Sequence, residues 1–188
     1  MNVIALSGST VGSKTRTAVE AAASRLKNAN PQHDVTVMDL AELQIAFSDG
    51  RDYRDYGGDT SRLAEAIMAA DALIIGTPVF QASIPGTLKN VFDLLPVNAF
   101  RDKTVSIIVT AGSAKHYLVA EQQLKPILSY MKAQIVPTYV FIEEKDFIRD
   151  EIINDDIHFR LDRLAEDTLL FAEAYAKIRE EKDAAYDF

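Results

Sequence analysis

Short runs of apolar, often β-branched residues alternate along the chain with longer segments whose apolar positions recur every three or four residues. That alternation predicts a parallel sheet with helices on both faces. Five runs stand out, at residues 3–6, 35–38, 72–76, 104–109 and 138–142. The first, third and fourth are almost continuously apolar, as strands buried on both faces must be, and are expected at the centre of the sheet. Val35-Thr36-Val37-Met38 admits a polar residue and suits an edge. Between the runs, helices are expected over 15–27, after a Ser/Thr cluster able to cap the first turn, and over 60–70. A third opens near Pro85 and closes before Pro96, and a fourth over 117–131 should kink or break at Pro126. In the last, Ile157, Leu161, Leu164, Thr168, Phe171, Tyr175 and Ile178 fall on one stripe. Residues 41–58 and 143–156 follow neither period and are long enough to be functional loops.

Composition narrows the class. At 188 residues the chain is the size of one domain and is read as a single unit over 1–188, with 181–188 expected to fray. It has no Cys, which removes disulfides and thiolate chemistry. The N-terminus lacks a signal-peptide pattern and no stretch is long and apolar enough to span a membrane, so a cytoplasmic location is expected. Net charge is −8, but residues 1–142 hold 13 acids and 13 bases, whereas residues 143–188 hold 15 acids and 7 bases. The body is therefore neutral, and no basic stripe exists to bind nucleic acid. His33, His116 and His158 have no metal-ligand spacing.

With five parallel strands in the flavodoxin-like order 2-1-3-4-5, a doubly wound α/β sheet, ligands bind beyond the strands' carboxyl ends where strand order reverses. Three loops converge there: residues 7–15, 77–83 and 110–115. The first, from Ser7-Gly8-Ser9-Thr10-Val11 through Gly12-Ser13-Lys14-Thr15, combines small residues, hydroxyls and a following helix N-terminus. It reads either as a phosphate cradle or as plain helix capping. Five residues on from Gly8 stands Ser13 where a P-loop needs Gly, and no central strand ends in an Asp suited to magnesium, so nucleotide hydrolysis is disfavoured. The dinucleotide fingerprint G-x-G-x-x-G is missing. The second loop offers Pro78, Val79, Phe80 and Ser83 to a flat ring, and the third offers backbone donors at Thr110, Ala111, Gly112 and Ser113 to its polar edge. A phosphate at one end and a planar, partly polar ring at the other is the shape of FMN.

Gly8-Ser9 with Ser13, the run from Gly76-Thr77-Pro78-Val79-Phe80 through Ser83, Gly86, Leu88-Lys89 and Pro96, and Leu124-Lys125-Pro126 resemble the NADPH-dependent FMN reductases. Within that family the likeness is nearest to reductases partnered with alkanesulfonate monooxygenase. The resemblance implies phosphate anchors at Ser9, Ser13 and Thr15, with backbone donors from Thr10 to Lys14. It implies ring contacts at Pro78, Val79, Phe80, Ser83, Thr110, Ala111 and Gly112. Val11 stands where many members carry Arg, and a charged hydrogen bond contributes about 1.5–3 kcal/mol, so without compensation from Lys14 or Arg16 the resemblance implies a flavin held about ten-fold or more weakly. The expected reaction is hydride transfer from NADPH or NADH to flavin N5, with backbone groups of Ala111 to Ser113 stabilising charge near N1 and no general base. Partners implied are NAD(P)H, flavin, a flavin-dependent monooxygenase, and a second or fourth copy of the chain, with Lys89 and Asp93 pairing between subunits. Reduction of azo dyes, quinones or metal oxyanions, and a flavodoxin-type electron carrier, are the alternatives.

Overall fold

The structure, a computed structural model, describes residues 1–185. Five parallel positions make up its main sheet. β1 (Asn2–Ser7) lies between β2 (Asp34–Asp39) and β3 (Ala72–Pro78), and β3 pairs with β4 (Thr104–Ala111). The fifth position is shared by β5 (Gln134–Ile135), against the start of β4, and β6 (Val140–Glu143), against its end. The order 2-1-3-4-5 is thus the expected one, but the last strand is interrupted. Pro137 lacks the amide hydrogen a continuous ladder needs, which accounts for the gap between Ile135 and Val140.

Alternation within the apolar strands divides the core into two layers. Val3, Ala5, Ala72, Ile74 and Ile108 face α1 (Lys14–Ala29) and α5 (Asp155–Ala184). Ile4, Leu6, Leu73, Ile75, Val105, Ile107 and Val109 face the opposite layer, which contains α2 (Gly58–Ala69), α3 (Gly86–Leu94) and α4 (Lys125–Tyr130). Within the first layer Ser106 of β4 and Thr168 of α5 share a buried hydroxyl bond of 2.6 Å.

Where a kink or break is expected at Pro126, the structure shows a change of helix type. A π-helical turn, Ala120–Leu124, runs into α4, and Pro126 sits in the first turn of α4, where its missing amide hydrogen costs nothing. The last helix departs from the expected stripe. Its buried face continues through Leu169 and Ala172, whereas Phe171 and Ile178 are exposed and Tyr175 only half-buried. Thirty residues at about 1.5 Å each give a helix of about 45 Å, while the eight residues of β4 span about 26 Å, so α5 outruns the sheet it covers. α5 extends to Ala184, into the segment expected to fray, and 186–188 lie outside the described residues. Among the described residues no helix is long and apolar enough to cross a membrane.

The two unassigned segments have separate fates. Residues 41–58 are fastened across α3 by Asn90, whose side-chain oxygen accepts from Ser48 N and whose amide donates to Ala46 O, both at 2.9 Å. Residues 143–156 form a small antiparallel hairpin of β7 (Phe147–Ile148) and β8 (Glu151–Ile152). Its base is buried. The Asp146 carboxylate accepts from Glu143 N at 2.9 Å and Asn154 Nδ2 at 2.8 Å, and Phe147 and Ile152 pack into the α1–α5 layer. Asn154 then caps α5, accepting from Asp156 N at 3.0 Å.

Candidate functional site

The three loops meet at the carboxyl ends of β1, β3 and β4, around a cleft of about 470 Å³. Its lining includes Val11, Ser13, Lys14 and Thr15 from the first loop, Pro78, Val79 and Phe80 from the second, and Thr110, Ala111 and Gly112 from the third. The approach of these loops is dictated by small residues. A Cβ on Gly8 would lie 2.8 Å from the Gly76 carbonyl oxygen, and one on Gly76 only 2.3 Å from Val19. Gly8 N donates to that same carbonyl at 2.8 Å, joining the first loop to β3. Gly12, at φ +74°, takes the left-handed bend that brings the chain round into α1.

The start of α1 has no side-chain cap. Plain capping was one reading of the hydroxyl cluster, and the structure does not support it. Ser13 stands at the N-cap but donates its hydroxyl to Asp150 of the hairpin instead. The first-turn amides of α1 are left pointing toward the cleft end with no internal acceptor, the donor set that suits an oxyanion such as a phosphate. Thr15 Oγ1 and Thr110 Oγ1 share a buried bond of 2.6 Å, in which one hydroxyl donates and the other keeps a free proton.

On the opposite wall, the second loop is a tight turn. Phe80 N donates to Ser83 O and Ser83 N to Phe80 O, each at 3.0 Å, and the two residues between them, Gln81 and Ala82, have φ of +48° and +59°. Two successive left-handed residues make a type I′ connection, which favours Gly and Asn; each non-Gly residue there carries strain of about 1–2 kcal/mol. The turn presents Phe80, which is 42% exposed, while Val79 N donates to Thr110 O at 3.1 Å and ties this loop to β4. Gly112 follows the last residue of β4 with open space where a Cβ would be, so a flat group could approach its backbone closely.

Four expected residues fall outside the lining. Ser9 is buried and turns inward, its hydroxyl donating to Val11 O at 2.7 Å and accepting from Val11 N at 3.3 Å. Thr10 faces a separate small cavity with Leu43, Phe47 and Asn90. Ser83 donates to Gln123 at 3.3 Å, on the π-helical turn. Ser113 leads into the short turn Ala114–His116 and away from the cleft. Of the two cations near enough in sequence to compensate for Val11, Arg16 points elsewhere, bound by Glu20 at 2.8 Å and Glu42 at 2.5 Å beside Asp39. Lys14 does line the cleft, paired with Glu144 and 5.7 Å from the centre of the Phe147 ring.

The hairpin contributes the lining residues that sequence reasoning missed, namely Glu144, Phe147, Arg149 and Asp150. Its strands are two residues each and its turn is Arg149-Asp150, without the Gly or Asn that marks a hairpin. The available signal was the pair Phe147-Ile148 and Glu151-Ile152 flanking two charged residues, too short to register as strands. Away from the cleft, Lys89 and Asp93 pair locally at 2.5 Å along α3. His158 bridges Arg25 and the Ile152 carbonyl, at 3.0 and 2.9 Å. Tyr139 ionises well above the usual phenol range because it is buried and lies against Tyr117, to whose carbonyl it donates at 2.7 Å.

Residues 1–147 match the model of the NADPH-dependent FMN reductase family. The chain is 38% identical over 166 residues to an NAD(P)H-dependent FAD/FMN reductase of Geobacillus thermodenitrificans, covering 88% of this chain and 90% of that one. It is 34% identical over 170 residues to the NADH-dependent FMN reductase SfnF of Pseudomonas fluorescens, covering 88% and 89%. Among solved structures, an NADH:FMN oxidoreductase (EMOB) in its apo form superposes with a TM-score of 0.76 at 26% identity, covering 90% of this chain and 88% of that one. An archaeal flavodoxin, at 16% identity and a TM-score of 0.62, shares the fold.

Proposed function

Because the chain belongs to the NADPH-dependent FMN reductase family, and is thus an NAD(P)H-dependent FMN reductase, we propose that the cleft at the ends of β1, β3 and β4 is where the flavin and then the nicotinamide are held. The observation that carries this reading is the uncapped start of α1 opening onto the same cleft as the strained Phe80 turn. The donor set fits FMN. First-turn amides of α1, with Ser13, Lys14 and the Thr15–Thr110 hydroxyl pair, suit the phosphate. Pro78, Val79 and Phe80 suit one face of the ring, and the backbone from Ala111 to Gly112 its polar edge.

When bound, FMN supplies the redox chemistry, taking hydride from reduced nicotinamide at its N5. The chain's own part is to fix the ring against Val79 and Phe80, to exclude water from its buried face, and to offer backbone dipoles at Ala111 and Gly112 to the negative charge that reduction leaves. No side-chain acid or base is needed in this role. The open cleft and the exposure of Phe80 support a flavin that exchanges with solution, which suits delivery of reduced FMN to a flavin-dependent monooxygenase. The whole chain, 1–188, is proposed to work as one unit in the cytoplasm. It is proposed to assemble as a dimer or tetramer through the apolar groove between α3 and α4, where Val97 and Tyr130 are exposed.

The test is steady-state oxidation of NADPH and NADH with FMN added, alongside Phe80→Ala. Rapid FMN-dependent oxidation is expected, with the apparent affinity for FMN weakened about ten-fold by loss of the ring contact. Oxidation that proceeds without added flavin on colourless protein, or an Ala variant with unchanged flavin affinity, would rule out this site.

A further inference from the structure

The hairpin β7–β8 lies over the first loop, and its tip is built unlike its base. The base is anchored by the buried Asp146 carboxylate and by Phe147 and Ile152 in the core. At the tip, Ile148 is 60% exposed, and the two-residue connection Arg149-Asp150 has φ of +54° at its first position. A two-residue hairpin with only its first residue left-handed takes Gly there by preference. A long cationic side chain is present instead, at the edge of the cleft. Strain retained in a residue that faces a site points to a use for the side chain.

The charges around the first loop show what that use is. Two carboxylates from the hairpin segment already sit on the donors proposed for the phosphate: Asp150 accepts from Ser13, and Glu144 pairs with Lys14. Arg16 is held away by Glu20, Glu42 and Asp39. Arg149 lines the cleft and makes no ion pair among the described residues. A carboxylate bound to a hydroxyl at an uncapped helix start mimics one edge of a phosphate, and a phosphate dianion outcompetes it by bringing more charge and more acceptor oxygens.

We infer that the hairpin tip is an exchangeable clamp for the FMN phosphate, in which Arg149 supplies a guanidinium contact from the rim, while the Asp150 carboxylate holds the cradle until the phosphate displaces it. This rests on the flavin site proposed above. It makes Arg149 a residue that selects phosphorylated flavin, while the ring contacts remain indifferent to the phosphate.

The discriminating measurement is a fluorescence-quenching titration of the full chain with FMN and, separately, with riboflavin, which has the ring without the phosphate. Wild type is expected to prefer FMN. Arg149→Gln should weaken FMN by about ten-fold or more and leave riboflavin unchanged, the range a charged hydrogen bond contributes. Arg149→Gly should do the same while melting at a higher temperature in the absence of flavin, because Gly accepts the left-handed backbone; it also guards against a misfolded Gln variant. Asp150→Asn, which removes the competing charge but can still accept from Ser13, should tighten FMN about three- to five-fold with riboflavin unchanged. A wild type that prefers FMN combined with unaltered ratios in both Arg149 variants overturns the clamp and spares the flavin site. A changed NADPH-to-NADH preference with an unaltered FMN-to-riboflavin ratio also overturns it, placing Arg149 on the nicotinamide nucleotide. An unaltered ratio in Asp150→Asn overturns the displacement. Failure of wild type to bind either flavin overturns the clamp and the flavin site together.

Discussion

Along the floor of the cleft, neighbouring segments are joined by backbone and buried hydroxyl bonds: Gly8 N to Gly76 O, Val79 N to Thr110 O, and Thr15 to Thr110. Around its rim, Ser13 and Lys14 meet the hairpin segment through charged side chains, and Lys14 and Glu144 are 31% and 63% exposed. Bonds of the first kind are costly to break because water cannot replace them, whereas exposed ion pairs exchange readily with solvent and salt. In the proposed site the floor is therefore preformed, while the rim is held by contacts that an incoming anion can exchange.

That contrast breaks first at the floor. Gly8→Ala puts a Cβ 2.8 Å from a backbone oxygen that cannot step aside, so urea unfolding should show a loss of about 2 kcal/mol, accompanied by weakened FMN quenching. Thr110→Val leaves the buried Thr15 hydroxyl without its partner and should cost about 1–2 kcal/mol. Adding Thr15→Val should cost less than a second full increment, and a double-mutant cycle by denaturant unfolding reads the difference. If the two losses simply add, the hydroxyls are not coupled.

A smaller and opposite effect is expected in the Phe80 turn. Ala82→Gly relieves a left-handed residue and should raise stability by about 0.5–1 kcal/mol in thermal melts, with flavin affinity lowered if the rigid turn is what presents the ring. The smallest change belongs to the rim. Lys14→Gln should alter stability by less than about 1 kcal/mol, and melts at low and high salt should show that even this vanishes on screening. A salt-insensitive loss as large as that of Thr110→Val would erase the distinction between floor and rim.

The floor was also the more legible of the two in the sequence. The strands that end there are continuous apolar runs, and Gly8, Gly76 and the Pro78-Val79-Phe80 step are recognisable locally. The edge was less so, because residues 134–143 form two short strands set by pairing with β4, not by their own pattern. The rim was hidden for a related reason. Two-residue strands have no period, and the Arg149-Asp150 turn uses a residue type that turns ordinarily avoid, so only tertiary anchoring at Asp146 reveals it. Within the first loop, hydroxyls that look alike on paper divide by direction. Ser13 reaches the rim, while Ser9 folds back on Val11.

The interruption between β5 and β6 carries a consequence for association. A continuous, flat outer strand offers an unpaired ladder that another chain can extend, the usual route to edge-to-edge aggregation. Here that border is cut at Pro137, and the guanidinium of Arg160 from α5 reaches the carbonyls of Tyr139 and Phe141 at 3.4 Å, placing a positive charge across the remaining acceptors. The sheet is thereby blunted on this side, which leaves the opposite border, at β2, as the edge where another strand could add.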